Sequence, residues 1–140
     1  MASVEDLPRR RRLILDAGGV FAVAIGSTEA RTALHRLRRE GFVVVIPTPV
    51  LAQVHRAGHD RARIDRVVNA IDGLLPTSGP VARLAGELQG AASTNDAIVA
   101  IVAAEALTAV PAIILTSDAE DMARLIQGHP NAHRVLIIRV

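Results

Sequence analysis

The chain has 140 residues, half of them hydrophobic and 1% aromatic, with sixteen basic and fourteen acidic side chains for a formal charge of +2. That length supports one domain with a real core, and because every basic residue is arginine, the lysine required by a P-loop or by a phosphoryl-accepting receiver fold is missing. Two phenylalanines, with no tryptophan or tyrosine, exclude the aromatic platforms on which many modules stack unpaired bases; the absence of cysteine excludes disulfides and thiolate metal sites and suits a reducing cytoplasm.

Residues 1–12 read as an arginine-rich arm and residues 13–140 as a single domain. Arg9 to Arg12, followed by the apolar stretch Leu13 to Ile25, imitate a twin-arginine export signal, but Asp16 and the pair Gly18-Gly19 interrupt that stretch. Residues 13 to 17 instead read as a buried strand ended by the glycine pair. A helix follows over 28 to 40, with Ala30, Ala33, Leu34 and Leu37 on one face and Gly41 closing it.

Val43-Val44-Val45-Ile46 is a continuous β-branched run suited to a central parallel strand, and Pro47 and Pro49 turn the chain into a helix over about 49 to 57. An amphipathic helix over about 60 to 72 turns Ile64, Val67, Val68 and Ile71 inward and Arg61, Arg63 and Arg66 outward. Leu74-Leu75-Pro76 fits a short edge strand. Helices near 80–90 and 95–108, a strand at 112–116, a helix at 119–127 and a strand at 135–140 complete the pattern. Alternating strands and helices without a linker predict a three-layer α/β/α sandwich on a mainly parallel central sheet. No run is long enough for a membrane span, since Glu105 interrupts the longest apolar helix.

Two strands end in an aspartate: Leu13-Ile14-Leu15-Asp16 and Ile113-Ile114-Leu115-Thr116-Ser117-Asp118. Ligands of open α/β sheets bind outside the carboxyl ends of the strands, so two such acids are candidates to converge. Asp96 opens the apolar run that precedes the second strand, and Asp121 lies three residues after Asp118. Oxygen-only ligands of this kind suit a hard cation and phosphodiester chemistry. Each acid also has a plain structural explanation, Asp16 in a turn, Asp96 and Asp118 as helix caps. The five histidines include no HExxH pattern, and the His129/His133 pair straddles Pro130. No G-x-G-x-x-G follows the first strand, which argues against a dinucleotide binder.

The order LILDAGG, VVVIPTPVLAQV, NDAIVAIVAAEA, IILTSDAEDMARL and VLIIRV resembles the PIN domain, specifically the small VapC-like proteins, over almost the whole chain from Leu13. The resemblance implies a metal-dependent endoribonuclease, commonly the toxin of a toxin–antitoxin pair, with Mg2+ or Mn2+ as cofactor. Its partners would be an RNA substrate, an antitoxin protein and a second copy in a homodimer. Carried over by position, the acids are Asp16, Asp96 and Asp118 with Asp121 as accessory, and Thr116 or Ser117 matches a supporting hydroxyl. Gln53 departs from the pattern, standing where the family usually places a glutamate. An amide oxygen can still ligate a hard cation or hold its water but brings no charge. Arg56, three positions on, shares the helix face of Gln53 and is a candidate for substrate phosphate, a solvated surface arginine being the plain reading. The expected activity is RNA hydrolysis with cation-activated water, which requires no side-chain nucleophile. The alternative is a catalytically weakened PIN-like fold acting as an RNA- or protein-binding module.

Overall fold

The computed structural model describes residues 11–56 and 60–140, with the side chain of Arg56 outside that set. Five strands form one sheet: β1 (Arg12–Leu15), β2 (Val43–Pro47), β3 (Gly73–Leu75), β4 (Ala112–Thr116) and β5 (Val135–Arg139). They run parallel in the order β3-β2-β1-β4-β5, so the sheet is wholly parallel rather than mainly so. Parallel strands are covered on both faces and read as unbroken apolar runs, which is why every residue of β1, β2 and β4 is buried.

Seven α-helices connect the strands among the described residues: α1 (Ala17–Ala24), α2 (Thr28–Arg39), α3 (Thr48–Arg56), α4 (Arg61–Ala70), α5 (Gly79–Ala92), α6 (Ala97–Thr108) and α7 (Ala119–Ile126). α1 to α4 pack among themselves on one face, and α5 to α7 do so on the other. Growth outward from β1 to β3 and then back across to β4 and β5, with crossovers of constant hand, forces the two helix groups to opposite faces. None of these helices is long and apolar enough to cross a membrane.

One element differs from the sequence expectation. Gly18-Gly19 does not end the first strand in a turn; it lies in the first turn of α1, capped by Asp16. Glycine is required there by contact, since a Cβ on Gly19 would stand 2.4 Å from the Leu115 carbonyl oxygen and one on Gly18 would stand 2.0 Å from Ser117 Oγ. β1 also begins one residue earlier than read, at Arg12, which is buried. Arg9, Arg10 and His59 lie outside the described residues. Gly41, at φ +95°, closes α2 in the left-handed conformation that favours glycine.

Arg12 and Glu105 form a buried pair, Nη1 to Oε2 3.9 Å, between β1 and α6. Burial pushes the Glu105 carboxyl up to about 7, and the neighbouring guanidinium offsets this only in part. A carboxyl raised in the fold favours folding in its protonated form, so its contribution is complete below its unfolded value of 4.5 and is lost as pH rises through about 7. Thermal unfolding from pH 5 to pH 8 should therefore show wild-type stability falling, by on the order of 3 kcal/mol at most from this group. Glu105→Gln should flatten that slope; an unchanged slope would assign it to other groups.

Candidate active site

Strand order reverses between β1 and β4, which are hydrogen-bonded neighbours whose chains leave toward opposite sides of the sheet. That switch point opens a crevice at the carboxyl edge. Asp16 follows β1 there, and Thr116 ends β4 directly across the same edge.

Asp16 is buried, 7% exposed, and both of its carboxylate oxygens have partners. The Gly19 backbone N–H donates to Oδ1 at 2.8 Å, and the Thr116 hydroxyl donates to Oδ2. Thr116 Oγ1 in turn accepts the Asp118 N–H at 3.0 Å, so a chain of hydrogen bonds runs from the first strand-end acid to the second. Burial pushes the Asp16 carboxyl above its ordinary value, the bonds from Thr116 and Gly19 pull it down, and the charge of Asp118 pushes it up again. Thr116, fully buried, is therefore the hydroxyl that touches an acid. Ser117 is exposed and packs against Gly18.

The remaining acids sit beside this pair. Asp96, Asp118 and Asp121 line one crevice of about 50 Å3, together with Thr94 and Arg124. Asp96 comes from the start of α6 and accepts the Val99 N–H at 3.1 Å; Asp118 caps α7 and accepts the Asp121 N–H at 3.3 Å. Asp121 is ion-paired to Arg124 one helical turn later, so part of its charge is already compensated. Each of Asp16, Asp96 and Asp118 caps a helix, and the three helix N-termini open at one edge of the sheet.

Several candidates stand apart. Gln53 is half-buried on α3 and does not line the crevice shared by Asp96, Asp118 and Asp121. The Arg56 side chain lies outside the described residues. Among the described residues, no three carboxylate or imidazole groups stand close enough together to hold a metal ion. Sequence reading passed over Arg124 and Thr94, which line the crevice; the i,i+3 spacing of Asp121 and Arg124 was the signal available for the first.

The donor set can still be tested against a cation. It consists of oxygen ligands with no sulfur or imidazole, and Mg2+ ordinarily uses one or two protein carboxylates and keeps several waters. Asp96 and Asp118 across a small crevice, with Asp16 behind Asp118, fit that requirement. A closed cage of three direct protein ligands is not what the side chains form.

No family model and no curated protein matches the chain. Solved structures do. A chain of the VapBC2 complex from Rickettsia felis, bound to a DNA fragment from its promoter, superimposes with a TM-score of 0.69 at 13% identity, covering 92% of this chain and 98% of that one. A chain of a toxin-antitoxin complex from Klebsiella pneumoniae gives a TM-score of 0.65 at 17% identity, covering 91% and 99%. The fold expected from the PIN-like motif order is therefore present over nearly the full length.

Proposed function

We propose that this protein is a Mg2+- or Mn2+-dependent endoribonuclease of the VapC-like PIN class, the toxin of a toxin–antitoxin pair, acting in the cytoplasm. The observation that carries the reading is the set of acids at the topological switch point: Asp16 after β1 and Asp118 after β4, linked through Thr116, with Asp96 delivered beside Asp118 by α6. Asp96 and Asp118 would hold the cation with Asp16 in support, and a bound cation supplies an activated water and charge stabilisation for phosphodiester hydrolysis. Thr116 fixes the Asp16 carboxylate against rotation and hands its remaining acceptor capacity to the Asp118 backbone. Arg124 holds Asp121 at the crevice wall, where its guanidinium would also be available to a phosphate.

The antitoxin would occupy a groove of about 720 Å3 between α1, α2 and α4, floored by Val23, Ala24 and Val67 and rimmed by Arg31, Arg63 and Arg66. An apolar floor with a cationic rim suits an amphipathic acidic segment. A second copy would complete a homodimer.

A weakened relative that only binds is the second reading, favoured by the neutral Gln53 and by the lack of a closed three-carboxylate set among the described residues. Labelled structured RNA incubated with wild type, Asp118→Asn and Gln53→Glu across a Mg2+ and Mn2+ titration separates the two. We expect metal-dependent cleavage by wild type, none by Asp118→Asn, and a roughly tenfold lower metal requirement for Gln53→Glu if its carboxylate reaches the cation. Inert wild type with active Gln53→Glu would identify a weakened enzyme. Inactivity of both would leave the binding module.

A further inference from the structure

β5 is unlike the other strands. Wholly parallel sheets bury both faces, and β1, β2 and β4 do so at every residue, whereas β5 is half-buried or exposed throughout. Leu136 is 56% exposed, one of two large hydrophobic residues so placed among the described residues. The register puts Leu136 beside Ile113 and Leu13, and Ile138 beside Leu115 and Leu15. Leu15 lines the groove under α1, α2 and α4, so Leu136 and Ile138 lie on that face of the sheet, beyond the helices that cover its centre.

Among the described residues the strand also ends the sheet, and the hydrogen-bonding groups it leaves without a strand neighbour can be assigned. The Val140 N–H donates to the Thr116 carbonyl. Along a strand successive residues point their N–H and C=O to alternate sides, so Ile138 and Leu136 also face β4, and Val135, Ile137 and Arg139 face the open edge. Natural edges are blunted by proline, short length or repeated charge. β3, the opposite edge, has three residues and is followed by Pro76, whereas β5 has five residues, no proline and a single charge, Arg139.

We propose that the open edge of β5 pairs antiparallel with β5 of a second copy, about a two-fold axis at Ile137, to make one ten-stranded sheet across a homodimer. The proposal names the interface of the homodimer put forward above. Self-complementarity selects the occupant. In this register Ile137 faces Ile137 of the partner subunit, and all three outward residues find hydrogen-bonded partners, Val135 opposite the partner's Arg139 and the reverse. The one charge on each strand therefore faces an apolar residue and not its own copy. Leu136 of each strand meets the partner's Ile138 in the close non-hydrogen-bonded position, extending the apolar stripe without a break.

The chain contains no cysteine, so single cysteines report the register cleanly. Full-length protein is run on analytical ultracentrifugation at tens of micromolar, an order-of-magnitude range for such contacts, and cysteine variants are oxidised with copper phenanthroline. We expect a wild-type dimer, a monomer for Leu136→Arg that keeps the wild-type circular dichroism spectrum and unfolds cooperatively, and rapid cross-linking of Ile137→Cys to itself. Leu136→Cys and Ile138→Cys should cross-link when mixed and not alone, since that pair meets only across the axis. A monomeric wild type overturns the proposal. So does a dimer in which Ile137→Cys cross-links no faster than Glu87→Cys on exposed α5, and that result places the interface elsewhere without touching the ribonuclease reading, which RNA cleavage tests separately.

Discussion

Gly19→Ala should cost about 3 kcal/mol, lowering the melting temperature by roughly 10 °C, although alanine is the better helix former by about 1 kcal/mol. The new methyl group would stand 2.4 Å from the Leu115 carbonyl oxygen and 3.2 Å from its carbon. Leu115 is fully buried and held in register between Leu15 and Ile138, so neither strand can yield without disturbing the sheet. Gly18→Ala makes the informative comparison. Its methyl meets the exposed Ser117, whose hydroxyl can rotate away, leaving approaches of 2.8 Å to Ser117 Cβ and 3.0 Å to its backbone nitrogen that a shift of this exposed residue relieves more readily than the buried Leu115 carbonyl can. Chemical denaturation of both variants should rank Gly19→Ala well below Gly18→Ala; equal stabilities would show that α1 can move off β4 freely.

Asp16→Asn should separate stability from activity. Metal-dependent RNA cleavage should fall by at least about 100-fold, because the variant removes a charge from the acid cluster. Stability at pH 7 to 8 should hold or rise. The asparagine oxygen keeps the bond from the Gly19 N–H, its amide can donate to Thr116 Oγ1, and the cost of ionising a buried carboxyl beside Asp118 disappears. Since the Asp16 carboxyl is raised in the fold, wild type recovers stability as pH falls through that raised value, and the gap to Asp16→Asn should close in acid. Mg2+ should raise the melting temperature of wild type and not of the variant. A variant much less stable at pH 8, with cleavage intact, would assign Asp16 to the helix cap alone.

Much of this architecture was legible because the strands advertise themselves. Val43 to Ile46 and Ala112 to Thr116 are apolar runs of strand length, and the strand 112–116 was read with its observed bounds. α1 was not legible. Its apolar residues merge into β1 without a polar break, and the glycine pair signals a turn unless one knows that Ser117 and the Leu115 carbonyl, about a hundred residues away, press against it. The strand-end acids could be picked out by position alone. What they do for one another could not, because the Thr116 bridge, the Arg124 pair and the depth of Asp16 are products of tertiary placement. The place of Gln53 also depends on tertiary packing, and it does not line the crevice shared by Asp96, Asp118 and Asp121.

The hydrogen bond from Thr116 to Asp16 joins residues one hundred positions apart, and it connects the central strand to the fourth of five. Until β4 docks beside β1, Asp16 has neither its hydroxyl partner nor its neighbouring charge, and the crevice has only one wall. A fragment cut short before residue 118 therefore has no assembled acid cluster. Long-range strand pairing is thus the step that assembles the candidate site: every residue up to Leu115 can be in place and the acids still lack one another.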